Sequence, residues 1–363
     1  MSITSQQYAN LTAHAYGEEH DGKKGQMRHL VNEKVTLEGV TYEVLDYMDS
    51  RSGYQGAIYQ RVDTGEIVVA HRGTEFDREL IKDGVLADGG MVAARTNSQM
   101  ADALKFTQRA LDHAKNSVSI YHHTPEVTVI GHSLGGALAQ ITAYKFHLRG
   151  ETFNAYGAAS LGHGIPEGGD QVVNHVKASD FVSAASQHFG QVRQYASMEE
   201  VRAVGGLAGY DNDRDRMDMR SGEVALAFSL DAHSMHHFTN LDGQDNPDRS
   251  ILADPEAQRL AQTYAPMFER YRNDLYAARG AATTAFEAHG RARDAQGQVT
   301  GAALDLSGDA VRHTAQAGAQ ASRAATLGAG AAAAVGLHQA GEAAVGVRQA
   351  AGNIEAGVDR VQG

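Results

Sequence analysis

Val127-Thr128-Val129-Ile130-Gly131-His132-Ser133-Leu134-Gly135-Gly136 is the stretch on which the reading of the fold turns. A short continuous apolar run such as Val127 to Ile130 is what a strand buried on both faces requires. Gly131 and Gly135 stand two places before and after Ser133, leaving room for a turn too tight for side chains. From Leu134 onward, Leu134, Leu138, Ile141 and Leu148 recur on one side of a helix that Gly150 is expected to end. Strand, turn and helix together would hold the Ser133 hydroxyl exposed on a strained elbow near a helix N-terminus. The plainer alternative is a glycine-rich turn whose serine only caps the helix.

The flanking sequence supplies the rest of a sheet. Gln55 to Val62 and Glu66 to Ala70 are β-prone runs separated by Asp63-Thr64-Gly65, a hairpin pattern. Asn97 offers an N-cap, and Met100, Leu104, Thr107, Leu111 and Ala114 follow at helical spacing. Thr152 to Tyr156 and Val172 to Val176 are further strand candidates. Alternating strands and helices with apolar strands predict an α/β fold, a largely parallel sheet covered by helices.

With Val68-Val69-Ala70-His71-Arg72-Gly73-Thr74 about sixty residues upstream, the GHSLGG segment resembles the class 3, fungal-type lipase family of the α/β-hydrolase fold. The resemblance covers roughly Tyr42 to Asn240. It implies an oxyanion donor at Thr74, in a segment where His71 replaces the family's usual Phe. Two donors aimed at a developing oxyanion are a physical need, and the backbone N–H of Leu134 with that of Thr74 would meet it. A loop residue bonding its own backbone is the alternative for Thr74.

A serine nucleophile needs an orienting acid and a base, in this fold in the order Ser, Asp or Glu, His. Asp180 follows the strand candidate Val172 to Val176 in a D-x-V setting like the family's, with Asp170 the rival acid. Among 18 histidines, His233 in Asp231-Ala232-His233-Ser234-Met235-His236-His237-Phe238 resembles the family's terminal histidine segment; His236 and His237 are its rivals, and His188 reads as structural. Asp211, Asp213 and Asp215 occupy the first ligand positions of an EF-hand-like loop, but Arg216 stands where glycine is needed and Glu223 is one place late, so a solvated acidic loop is the better reading. Turn formation is likewise the commoner role for Asp242, Asp245 and Asp248. Asp77 to Arg95, where the family carries a lid, mixes Leu80, Ile81, Val85, Leu86, Met91 and Val92 with glycine and acids; lid and ordinary loop both fit.

Composition narrows the function classes. The 363 residues carry 32 basic and 44 acidic side chains, a net −12, which disfavours nucleic acid and electrostatic attachment to anionic lipid. Without cysteine there is no disulfide, thiol catalysis or Cys-ligated zinc. The N-terminus shows no basic start followed by an apolar run, so any export is expected to use a specialised apparatus. Beyond Phe286 there is no Phe, Tyr or Trp, and Ala and Gly make up half of Gly301 to Gly363. Asp254-Pro255-Glu256 reads as a helix start, followed by the stripe Leu260, Tyr264, Phe268, Tyr271 and Leu275, which Pro266 should kink or split.

The expected organisation is therefore an α/β-hydrolase domain over 1–250 and a helical, Ala/Gly-rich region over 251–363. The expected chemistry is a serine lipase or phospholipase with Ser133, Asp180 and His233 as triad, requiring no metal or organic cofactor. The added helical region makes the chain similar to bacterial lipase effectors delivered into rival cells, which travel with an immunity protein. The alternative is a membrane-active or partner-binding protein in which the tail is the functional part; Gly328, Ala332 and Gly336 fall at four-residue steps that let helices approach closely.

Overall fold

The structure is a computed structural model that describes residues 3–17, 30–73, 89–211, 231–241 and 247–277. Among the described residues, eight strands form one sheet: β1 (Lys34–Leu37), β2 (Val40–Asp49), β3 (Gln55–Arg61), β4 (Ile67–Arg72), β5 (Val127–His132), β6 (Arg149–Phe153), β7 (Gly168–Lys177) and β8 (Phe189–Tyr195). They lie side by side in chain order. The first four pair antiparallel, and β4 through β8 pair parallel.

That order decides where the helices go. Right-handed crossovers between strands added always on the same side pass over the same face of the sheet. Helix α2 (Gly89–Asn116) joins β4 to β5 and helix α3 (Leu134–Phe146) joins β5 to β6. Both pack on the face carrying Ile58, Ile67, Val69, Val127 and Val129. The alternate residues Ala57, Tyr59, Val68, Ala70 and Ile130 point to the other face. There they meet Tyr8, Ala9 and Leu11 of α1 (Ser5–His14) and Phe238. Helix α1 is closed by a capping box in which Thr4 and Gln7 satisfy each other's backbone amides.

Several expected boundaries move, among them the strand expected over Thr152 to Tyr156, which runs over Arg149–Phe153. Asn97 does not cap a helix but lies inside α2, because the buried stripe continues upstream through Gln99, Thr96 and Val92 at helical steps. Since Val92 is core, the downstream end of the lid candidate is helical from Gly89; residues 77–88 lie outside the described residues. Gly150 does not end α3, which stops at His147 in the left-handed conformation (φ 56°). Gly150 instead belongs to β6, where a side chain would collide with the backbone of Val129.

Contacts divide the chain into two compact units, Met1–Phe286 and Glu287–Gly363. The run expected to open a second domain at 251 therefore belongs to the first unit. Helix α4 (Pro255–Thr263), capped by Asp254, is followed by a break at Tyr264, two residues before Pro266, and helix resumes over 265–277. Leu260, Phe268 and Tyr271 are buried with Ala178, Ala196 and Val204 at the end of the sheet. The second unit, with the whole Ala/Gly-rich segment, lies outside the described residues. Among the described residues no helix is long and apolar enough to cross a membrane.

One of the closest backbone approaches among the described residues is between α3 and β4. A Cβ on Gly135 would overlap the carbonyl oxygen of His71 and lie 2.6 Å from the carbonyl carbon of Arg72, both backbone atoms that cannot swing away. Gly135→Ala should therefore destabilise the protein by about 1–3 kcal/mol or more through overpacking. Urea denaturation followed by circular dichroism would measure it, and an unchanged midpoint would contradict the packing described.

Candidate active site

The site is built at the carboxyl end of the parallel strands. Ser133, between β5 and α3, has φ 58° and ψ −129°, a backbone region that costs a non-glycine residue about 1–3 kcal/mol. The strain has a visible cause on both sides. A Cβ at Gly131 would lie 2.5 Å from the carbonyl carbon of Gly135, and one at Gly136 would run into Ala155. The side chain of Ser133 makes no capping bond to the helix. Its Oγ instead lies 3.0 Å from His233 Nε2.

His233 comes from the short 3-10 turn Asp231–His233, far along the chain. Its Nδ1 is 2.8 Å from Asp180 Oδ1. Asp180 caps the short helix Phe181–Ala184: Oδ2 accepts from the amide of Ser183 at 2.9 Å and Oδ1 from that of Val182 at 3.4 Å. The carboxyl is fully buried. Burial pushes its pKa up, but the facing imidazole, its hydrogen bond and the donors of Ser183 outweigh that and hold it below the ordinary carboxylate value. A buried carboxylate, an imidazole and a hydroxyl thus stand in one line.

The loop that carries Asp180 is braced from several directions. Glu200 Oε1 accepts from Ser179 Oγ at 2.6 Å, while its Oε2 lies 3.4 Å from the Lys177 ammonium. Tyr271 donates to the Ser179 carbonyl at 3.0 Å, and the Arg272 guanidinium donates to the Ser183 carbonyl at 3.0 Å. Asn154 Nδ2 holds the carbonyl of Ala232 at 2.7 Å and so fixes the turn before His233.

His132, beside the serine, takes part in a connection that sequence reasoning missed. Its Nε2 is 2.7 Å from the His233 carbonyl, which can only accept, so Nε2 carries the proton. Nδ1 must then accept, and Tyr16 Oη, at 2.9 Å, donates to it. Tyr16 Oη in turn accepts from the amide of Gly73 at 3.2 Å. Burial, helped by neighbouring His233, pushes the pKa of His132 down to about 3, which keeps this orientation in place at neutral pH. The signal was the histidine inside GHSLGG; nothing in the sequence pointed to Tyr16.

Gly73 packs beside Ser133, since a Cβ there would be 3.2 Å from Ser133 Cβ. Thr74 lies outside the described residues, as do Asp213, Asp215, Glu223, Asp242 and Asp245. Leu134 is the first residue of α3, so its amide is one of those with no partner inside the helix. His71 is buried between Tyr54 Oη (2.9 Å) and Thr142 Oγ1 (3.1 Å), and burial pushes its pKa down to about 3. It ties β4 to Tyr54, the residue just before β3, and to α3 from within the core. His188 is buried and bonded to the Ser183 carbonyl at 3.1 Å, while the rival acid Asp170 is exposed. His236 and His237 face Asp231 rather than Ser133.

Residues 7–195, just over half of the chain, match the family described as phospholipase-like, Tle-like phospholipase domain. The matched span contains Ser133 and Asp180 and ends before His233. No curated protein matches the chain. Among solved structures, the chain is similar to the Lip2 lipase of Yarrowia lipolytica at 17% identity, over 52% of this chain and 77% of that one, with a TM-score of 0.34. It is similar to the Rhizomucor miehei lipase in its propeptide complex at 14% identity, over 54% and 70%, with a TM-score of 0.33. Lipase II of Rhizopus niveus shares 18% identity over 49% and 72%, with a TM-score of 0.31. On the match over residues 7–195, the chain belongs to the Tle-like phospholipase family.

Proposed function

We propose that the protein is a serine phospholipase that hydrolyses carboxyl esters of membrane lipids, with Ser133 as nucleophile, His233 as base and Asp180 as orienting acid. The observation that carries this reading is the line of contacts from Ser133 Oγ to His233 Nε2 (3.0 Å) and from His233 Nδ1 to Asp180 Oδ1 (2.8 Å). In the reaction, Ser133 Oγ attacks the ester carbonyl carbon while its proton passes to His233 Nε2. The imidazolium is stabilised by the Asp180 carboxylate and then protonates the departing alcohol. Water, deprotonated by the same nitrogen, hydrolyses the acyl-enzyme and releases the fatty acid. The Leu134 amide and that of Thr74, next to Gly73, are assigned to the oxyanion. Delivery into a rival cell, and neutralisation by an immunity protein, belong to the same proposal.

His132 and Tyr16 are assigned a positioning role. Through them the amide of Gly73, one residue before the second oxyanion donor, is tied to the backbone of the base. The two halves of the machinery are thereby held in mutual register.

Three outcomes are expected. Ser133→Ala should abolish fluorophosphonate labelling and lower turnover by about 10⁶-fold, the scale seen when a triad nucleophile is removed. His233→Ala or Asp180→Asn added to it should cost little more, because the three act as a unit. Labelling that survives Ser133→Ala would overturn the assignment.

Tyr16→Phe removes one hydroxyl and should lower kcat on a soluble short-chain ester by about tenfold with KM unchanged, the scale of one well-placed hydrogen bond. A merely structural tyrosine would instead lower the unfolding midpoint and leave kcat of the folded enzyme intact.

Incubation with phospholipid vesicles, read by mass spectrometry, should yield free fatty acid and lysophospholipid. Salt should matter little, since a chain of charge −12 gains no attraction to anionic lipid that salt could screen. Release of a phosphorylated head group, or cleavage of soluble esters with phospholipid untouched, would refute the substrate class.

A further inference from the structure

Beside the site, on the segment that supplies His233, stands a second group of chemically capable side chains that the proposed reaction does not use. The turns Asp231–His233 and Met235–Phe238 follow each other directly. His233 is committed to Ser133 and Asp180, whereas Asp231, His236 and His237 converge on one another, each offering one ligand atom within 4.8 Å of the other two. Asp231 Oδ2 is 3.1 Å from His237 Nε2 and 3.9 Å from His236 Nε2, and the two imidazole rings lie 4.0 Å apart.

We propose that Asp231, His236 and His237 form a binding site for a divalent transition-metal ion, with zinc the best fit. Zinc bonds of about 2.0–2.2 Å to nitrogen and oxygen, opened to a tetrahedral angle, place ligand atoms about 3.3–3.5 Å apart. The separations found around Asp231 bracket that figure.

Hydrogen bonding accounts for only part of the arrangement. The single Nε2 proton of His237 has two acceptors, the Asp231 carbonyl at 3.0 Å and the carboxylate at 3.1 Å. His236 Nε2, at 3.9 Å from the carboxylate, is beyond hydrogen-bond range. With the His237 proton moved to Nδ1, a cation between the three would be bonded by both imidazoles and the carboxylate at once.

The second shell is also present. His236 Nδ1 lies 2.6 Å from Ser234 Oγ, which can accept its proton and so leaves the Nε2 lone pair turned to the ion. Two imidazole nitrogens select zinc and its neighbours over calcium or magnesium, which take oxygen ligands. Asp231 is 76% exposed and the two histidines 24% and 19%, so the ion has an entry path and solvent can complete its coordination. The consequence would be local: the ion joins the residue two before His233 to those three and four after it, clasping the turn that presents the base.

The test uses tag-free full-length protein, stripped with chelator, incubated with zinc sulfate and dialysed, with bound zinc measured by plasma mass spectrometry. Wild type and His233→Ala are expected to retain one equivalent of zinc. The double variant His236→Ala/His237→Ala should retain none. Asp231→Asn, at an exposed side chain that the core does not need, should weaken zinc by at least about tenfold in a competition titration, since even residues behind the ligands cost that much. It decides the question if the double variant fails to fold. No zinc in the wild type, an equivalent that persists in the double variant, zinc affinity unchanged in Asp231→Asn, or loss of zinc in His233→Ala would overturn the proposal.

Discussion

Everything in this site depends on one close approach, that of the first turn of α3 to the end of β4. Only a residue without a side chain at 135 lets the helix backbone reach the His71 and Arg72 peptides. That contact brings three things together: the strained Ser133, the amide of Leu134 at the start of the helix, and Gly73, the last described residue after β4. A serine at φ 58° would relax in a free peptide. It does not relax here because β5 and α3 are each buried along most of their length, so the turn between them has no slack. The cost of one strained residue is set against the burial of two whole elements.

Around that turn the protein uses buried polar side chains as distance rods. His71 on β4 joins Tyr54, just before β3, to α3; Asn154 reaches the turn before His233 and also accepts from the amide of Lys177; His132 and Tyr16 join His233 to Gly73. Such groups would be costly if unpaired, and pairing makes them directional as apolar packing is not. Burial holds His71 and His132 neutral, so the pattern of donors and acceptors does not change across the ordinary pH range.

The parts legible in the sequence are those governed by local rules. Val127 to Ile130 followed by a glycine-bounded serine contains its own strand, turn and helix, and the hairpin at Asp63 to Gly65 contains its own reversal. Ser133, Asp180 and His233, the residues chosen from the motif and the chain order, are the ones that meet. Errors arose where tertiary contacts decide. Asn97 looks like a cap, but the buried stripe of α2 runs past it to Val92; Gly150 looks like a terminator, but the crowding that demands glycine comes from the neighbouring strand. Asp231, His236 and His237 read as rivals or bystanders of His233 because spacing alone does not say which way each ring turns.

The boundary expected at residue 250 is the most instructive difference, because it changes what the active site is made of. The helix start at Asp254-Pro255-Glu256 suggested that a second, helical region began there. Yet Tyr271 and Arg272, from the helix resumed after Tyr264, hold the Ser179 and Ser183 carbonyls on either side of Asp180. Across the same loop Glu200 binds Ser179 and faces Lys177, and both members of that ion pair are more than nine-tenths buried. Breaking a buried pair by removing one partner typically costs about 3–5 kcal/mol, because the other is left as an unmatched charge. So many directional groups hold Asp180 in place as the proposed orienting acid requires, and half of them come from α4's continuation. In the proposed triad, Ser133 therefore rests on the α/β sheet, His233 on a 3-10 turn, and the loop that carries Asp180 on helical residues up to Arg272.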